Sequence, residues 1–233
     1  MAMTKETQIA LKNIREHSFR LNEVVAGYAG PRRAGILVPI FINEDGELDV
    51  LLTVRSSNLG SHSSEVSCPG GKFDSADSDI VETALREAEE EVGLSRDEVS
   101  ILNSIHPTVS RNILIVSPVI GLIPSDFIGR ASPNPSEVDR VFSISLKSIF
   151  QNHDHTHVDM NWLNEPWRMH SFQRSNERVW GLTANVILRV AEIAFSGTQV
   201  KCEFHVRMPG QPIEDVSIRF DDFLANVNKA EEL

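Results

Sequence analysis

Cysteine is nearly absent from this 233-residue chain; only Cys68 and Cys202 occur. Two cysteines do not make a disulfide framework, so a reducing compartment is the default expectation. Aromatic residues are scarce at 6%, with a single tyrosine. Long apolar runs are missing too: no stretch reaches the roughly 18 residues expected of a transmembrane helix. Positive charge is in deficit, 22 Lys and Arg against 33 Asp and Glu, a net charge of −11. That balance argues against a nucleic-acid partner or an anionic membrane surface. An anionic substrate then has to be drawn in by a bound metal and a few local cations. There is no internal repeat and no low-complexity tract. The ends are expected to carry no address. MAMTKETQIALKNIREHSFRL lacks a signal-peptide core, Glu6 and Glu16 do not suit a transit peptide, and Glu231-Glu232-Leu233 is not the Ser-Lys-Leu signal. An intracellular protein is expected, with cytosol, peroxisome and mitochondrion unresolved.

What is present is a concentration of carboxylates. Hydrophobic content of 41% and charge of 24% are ordinary for a globular protein. The run Gly70 to Leu94, GGKFDSADSDIVETALREAEEEVGL, is not. Asp79 suits an N-cap and Glu82 completes a capping box, so a helix begins there and stops at Gly93. At about 100° per residue, Val81, Ala84, Leu85, Ala88 and Val92 share one stripe that faces a core. Glu87, Glu90 and Glu91 fall together on the adjoining face. Glu87 and Glu91 are one turn apart and can reach one ion. Glu82 and Glu89 point away into solvent. Arg86 lies next to the acidic face and can hold a glutamate by a charge-assisted hydrogen bond. A solvated acidic helix is the alternative, since like charges at i,i+4 cost only a few tenths of a kcal/mol. A cation explains the cluster more simply. Oxygen-only ligands suit Mg²⁺ or Mn²⁺, which share their shell with phosphate.

The order of these residues resembles the Nudix hydrolase signature. Arg86-Glu87-Ala88-Glu89-Glu90-Glu91-Val92-Gly93-Leu94 fits its second half at every position. The first half departs: Gly71 is followed after five residues by Asp77 rather than Glu, and the spacer to Arg86 is one residue long. That departure is similar to the coenzyme A diphosphatase branch, particularly its peroxisomal members. The same branch is echoed by Leu51 to Ser56, His62, Glu65-Val66, Pro69 to Lys72, Asp74 and Asp77. It is echoed again by Asn134-Pro135-Ser136-Glu137-Val138 and Gly181-Leu182-Thr183-Ala184. Gly60, Ser64 and Cys68 depart from the branch pattern without removing an expected ligand.

The resemblance implies metal-dependent hydrolysis of the diphosphate bridge of coenzyme A and acyl-CoA, giving 3′,5′-ADP and 4′-phosphopantetheine or its acyl form. It implies Glu87 and Glu91 as metal ligands, with Glu90 as a further ligand or the group that positions water. The general base is open between Glu90 and Glu137; Glu137 can equally be an ordinary loop carboxylate. Arg86 completes the catalytic set. Arg55, Gly70 and Gly71 are expected against substrate or metal, Arg55 with a structural salt bridge as its alternative. Arg111 is a weaker candidate. Hydrolysis of NADH, ADP-ribose or other nucleoside diphosphate derivatives is the rival activity. An inactive nucleotide-binding module is the rival class, disfavoured because the Arg-Glu block is whole. A homodimer is an open option that no residue here decides.

The expected architecture is an α/β/α sandwich on a mixed central sheet. Residues 1–33 form an N-terminal helix and loop, and 34–233 one domain with C-terminal additions, a strand or two and a last helix. The first helix is expected over 5–25, anchored by Ile9, Leu11, Ile14 and Phe19. Ile36–Ile42 and Leu48–Arg55 flank Asn43-Glu44-Asp45-Gly46 as a hairpin. A long loop runs from Ser56 to Ser78. Strands are expected over Val99–Ile105, Ile113–Ile123 and Val141–Leu146, with loops at Pro124–Pro135 and Asn152–Pro166. Arg168–Phe172 and Val179–Trp180 suggest another hairpin, and Thr183–Phe195 a second apolar helix ended by Gly197. The alternating His153, His155 and His157 read as solvated loop residues, and Cys68 as a small packing residue rather than a reactive thiol.

Overall fold

A computed structural model describes residues 3–18, 32–58, 63–110, 114–162, 165–174 and 176–209. Phe19, Gly60, His62, Arg111 and the expected C-terminal elements after residue 209 lie outside the described residues. The chain runs α1 (Lys5–Glu16), β1 (Arg33–Ile42), β2 (Leu48–Arg55), β3 (Val66–Ser67), β4 (Gly70–Lys72) and α2 (Ile80–Val92). It continues through β5 (Ser100–Ser104), β6 (Thr108–Val109), β7 (Ile115–Leu122), α3 (Phe127–Arg130) and β8 (Val138–Ser145). Last come β9 (His155–Trp162), β10 (Glu165–Arg174), β11 (Glu177–Trp180) and α4 (Gly181–Ala194). No described helix is long and apolar enough to cross a membrane.

The central sheet is mixed: β1 and β7 run parallel, and its other pairings are antiparallel. Strand alternation sends Leu37, Phe41 and Leu51 to one face, where they pack on Ala84, Ala88 and Val92 of α2. The alternate residues Val38, Ile40, Val50 and Leu52 pack with Leu11 and Ile14 of α1 and Ile187 and Val190 of α4. This is the α/β/α sandwich. A Cβ on Gly35 would stand 2.5 Å from the Ile80 carbonyl oxygen, so glycine lets α2 lie directly on β1.

One irregularity in the sheet positions the site. β1 pairs β2 only at the hairpin end, Ile40–Ile42 with Leu48–Val50. Farther along the two strands part. β3 takes the freed end of β2 at Thr53 and Val54, and β4 takes the freed end of β1 at Ala34–Ile36. The expected long loop 56–78 is therefore partly a wedge of two short strands. It drives Gly70 and Gly71 into the split, beside α2.

α1 stops at Glu16 because Asn103 of β5 donates to the carbonyls of Ile14 and His17. The 124–135 loop contains the single turn α3, which buries Phe127. Asn152–Pro166 is no loop; it contains β9, the edge of a second antiparallel sheet ordered β11-β10-β9. Its polar side chains hide the strand period, yet they are matched across the ribbon. Asp159 takes a two-pronged bond from Arg168 at 2.6 and 2.7 Å, and His155 reaches His170 at 2.9 Å. His155 is thus not a solvated loop residue; its ring stacks on Phe204 at 3.7 Å between centroids.

Candidate functional site

α2 begins as expected at Asp79, whose Oδ1 accepts from the Glu82 N–H at 2.9 Å. The capping box is only half made, because the Glu82 carboxylate is taken by Arg96. Gly93 ends the helix in the left-handed region at φ 74°. The buried stripe differs from the expected one. Leu85 is only half-buried, whereas Ile80, Thr83 and Glu91 are turned inward. That rotation separates the three glutamates. Glu91 is 2% exposed, while the Glu90 side chain is 53% exposed and meets Arg86 at 3.2 Å.

Glu137 joins the helix from the turn just before β8. The Ser132 and Asn134 N–H groups donate to the terminal α2 carbonyls of Val92 and Glu91, each at 2.9 Å. Glu137 N–H bonds Asn134 O at 2.9 Å, and Ser56 N–H bonds Glu137 O at 2.8 Å. The unsatisfied carbonyls of the helix end thus tether the 132–137 loop over the site. One carboxylate oxygen each from Glu87, Glu91 and Glu137 lie within 4.8 Å of one another.

Three carboxylates at that separation repel unless protonated or bridged by a cation. Burial pushes the Glu91 carboxyl up to about 8, against the Gly70 N–H and Arg55, which favour its ionised form. Burial also raises Glu87, partly offset by Arg86. A divalent cation would reverse both shifts. The backbone leaves room for it: a Cβ on Gly71 would overlap the Glu87 carboxylate. Gly70, at φ 155°, lies against Gly35 and Ile36, where a Cβ would come within 2.5 Å of Gly35 O. The donor set is all oxygen and fits Mg²⁺ or Mn²⁺.

Arg86 is locked from behind. Its Nε and Nη2 bond the Asp77 carboxylate at 2.9 and 3.1 Å, and its Nη1 bonds Glu87 Oε1 at 2.9 Å. Nη2 also reaches Lys72 O at 3.2 Å. Asp77 in turn accepts from Thr83 Oγ1 at 2.8 Å and the Asp74 N–H at 3.0 Å. The Arg86 hydrogen bonds, with these two, hold Asp77 down at about 2. Asp77 stands in the expected motif, but its task as the brace of Arg86, and the part of Thr83 in it, do not show in the motif pattern. The signal was a polar Thr on the buried stripe, one turn before Arg86. Arg55 ends β2 with Nη1 3.9 Å from Glu91 Oε1, the ion pair expected as its structural alternative. Cys68 is buried and its thiol pushed up to about 12, chiefly by that burial.

The NUDIX domain family matches residues 31–165, more than half of the chain and including every residue of this cluster. The chain belongs to the Nudix family. A mitochondrial Nudix hydrolase 15 of Arabidopsis thaliana is 39% identical over 169 residues, 71% of this chain and 59% of that protein. The uncharacterized Nudix hydrolase NudL of Photorhabdus laumondii is 34% identical, over 69% of this chain and 84% of that protein. The chain spans less than two thirds of the Arabidopsis relative's length and most of the bacterial one's. Among solved structures, a MutT/nudix family protein from Enterococcus faecalis superposes with a TM-score of 0.43 at 16% identity. That alignment covers 82% of this chain and 74% of that one.

Proposed function

We propose that this Nudix protein hydrolyses the diphosphate bridge of coenzyme A and its acyl esters, releasing 3′,5′-ADP and 4′-phosphopantetheine or its acyl form. The observation that carries the reading is the convergence of Glu87, Glu91 and Glu137 within 4.8 Å, beside the Gly70–Gly71 wedge. Support for coenzyme A comes from the flanking segments that resemble that branch, which meet around the same wedge. Ser56 N–H bonds Glu137 O, and Thr183 Oγ1 bonds Val66 O at 3.1 Å.

In this reading Glu87, Glu91 and Glu137 would hold Mg²⁺ or Mn²⁺, which would supply charge neutralisation at the diphosphate and a water of lowered pKa. Arg86, braced by Asp77, fixes the Glu87 carboxylate and favours its ionised form against the burial that raises it. Arg55 stands beside the cluster to meet a phosphate oxygen. Gly70 and Gly71 leave the backbone bare so that a diphosphate can come close. With Glu137 inside the cluster, Glu90 is the carboxylate left at the exposed rim to take the proton of the attacking water.

The test is incubation with coenzyme A, with and without Mg²⁺ or Mn²⁺, and mass spectrometry of the products. Metal-dependent 3′,5′-ADP and 4′-phosphopantetheine are expected. Cleavage of NADH or ADP-ribose with coenzyme A left intact would replace this substrate with the rival class. Tight binding without turnover of any of them would point to a binding module. Equal specificity constants on coenzyme A and dephospho-coenzyme A would exclude recognition of the 3′-phosphate.

A further inference from the structure

Among the described residues, the second sheet has an open edge. β9 pairs with β10 over eight consecutive partners with no bulge, and among the described residues it pairs with nothing else. Six of its eight residues are exposed. The large hydrophobic side chains most exposed among the described residues are Ile101, Val158 and Met160, and two of these three lie on β9. Edge strands are normally protected by lysine, proline, a bulge or a covering element. HTHVDMNW has neither lysine nor proline. Its one acidic charge, Asp159, is engaged by Arg168 within the ribbon.

The backbone of that edge has a defined pattern. His170 N–H and Arg168 O both bond the Asn185 side chain of α4, at 3.4 Å each, and so turn away from β9. Their register partners across the ribbon are His157 and Asp159. In an antiparallel ladder, directly opposed residues turn their polar backbone groups either toward each other or both away. His157 and Asp159 therefore point N–H and C=O outward, to the open side. The outward His155 N–H, which bonds Asn152 O at 3.2 Å, follows the same alternation.

We propose that β9 is a dimerisation edge that pairs antiparallel with β9 of a second copy, about a two-fold axis at Val158. This register brings outward backbone groups together and sets an imidazole opposite a carboxylate on both sides of the axis. His157 stands opposite the partner's Asp159, and Asp159 opposite the partner's His157, each pair exchanging two backbone hydrogen bonds. Val158 meets the partner's Val158 as the close, non-hydrogen-bonded pair on the axis, and Met160 meets the partner's Thr156. Sliding by two residues in either direction sets Asp159 against Asp159 or His157 against His157. Sliding by one residue turns outward groups toward inward ones. The product is a six-stranded sheet with an isologous, closed contact. It doubles the apolar face formed by Val158, Met160, Trp167 and Met169.

The test is light-scattering mass in solution, combined with site-specific cross-linking in the full chain. Wild type is expected at twice the 26.0 kDa chain mass. Val158→Lys, at a position 56% exposed, is expected to give a folded monomer by circular dichroism and light scattering. In a Cys202→Ser background, Val158→Cys should form an interchain disulfide under mild oxidation, and Met160→Cys should not. A monomeric wild type overturns the proposal. So does a dimer that survives Val158→Lys, or one in which Val158→Cys fails to cross-link. Cross-linking through Met160→Cys instead would overturn the register.

Discussion

Gly71 lies so close to the Glu87 carboxylate that any Cβ at position 71 would overlap it. The contact is with the end of a flexible side chain, so the fold can yield while the carboxylate cannot stay. Gly71→Ala is expected to keep its melting temperature within a few degrees. Its turnover should fall on the order of 100-fold, the effect of a displacement near 1 Å in a reacting group. Gly35→Ala is the counterpart: its Cβ would press on the Ile80 backbone, which cannot move without lifting α2. That variant should lose about 1–3 kcal/mol of stability, the usual range for overpacking. Thermal melts and steady-state kinetics on both variants separate the two effects.

Glu91 is the most buried member of the carboxylate cluster. Glu91→Gln retains an acceptor for the Gly70 N–H and removes one of three crowded charges. The variant should fold at least as stably as wild type and yet lose turnover. Added Mg²⁺ should raise the melting temperature of wild type but not of Glu91→Gln, because a cation stabilises only the form that binds it. Near-normal activity in the variant would remove Glu91 from the ligand set.

Asp77 braces Arg86, which braces Glu87. Arg86→Lys keeps the charge but loses the fork that spans Asp77 and Glu87, and should cost about 10- to 100-fold in turnover. The same brace has a signature in acid. Asp77 titrates at about 2 when folded, below its ordinary value. Its stabilising contribution is present above the ordinary aspartate pKa and is lost as pH falls toward 2. Asp77→Asn should flatten that part of the stability profile, measured by denaturant melts from pH 5 downward.

His155 and His170 share one hydrogen bond, and His170 Nε2 also contacts Val206 O at 2.9 Å. A carbonyl only accepts, so His170 Nε2 carries hydrogen and its Nδ1 accepts from His155. Burial, then neighbouring positive groups, hold both rings down at about 4, although the Val206 carbonyl favours a charged His170. A depressed histidine stabilises the fold above its unfolded pKa near 6.5, and the contribution is lost as pH falls through 4. Melting temperature should therefore drop between pH 6.5 and 4. His170→Gln should lower stability at pH 8 and weaken that dependence. An unchanged slope would place the transition elsewhere.

Helical period, capping and charge density within one turn are local properties, so the helix from the Asp79 cap to Gly93 and the acidic run it carries are legible in the residues alone. The core strands are legible too, because their apolar runs report burial on both faces. Four things were decided only in three dimensions. Glu137 enters the cluster because the helix's terminal carbonyls recruit the Ser132 and Asn134 N–H groups, bonds that join positions 40 and 43 residues apart. Glu90 leaves it because burial of Ile80 and Thr83 rotates the helix away from the stripe that hydrophobicity alone suggested. Asp77 gains its role only when a turn brings it under Arg86. β9 is invisible as a strand because its polar residues find partners across the ribbon. Hydrophobic alternation reports burial against a core, and carries no information about bonds between polar side chains on facing strands.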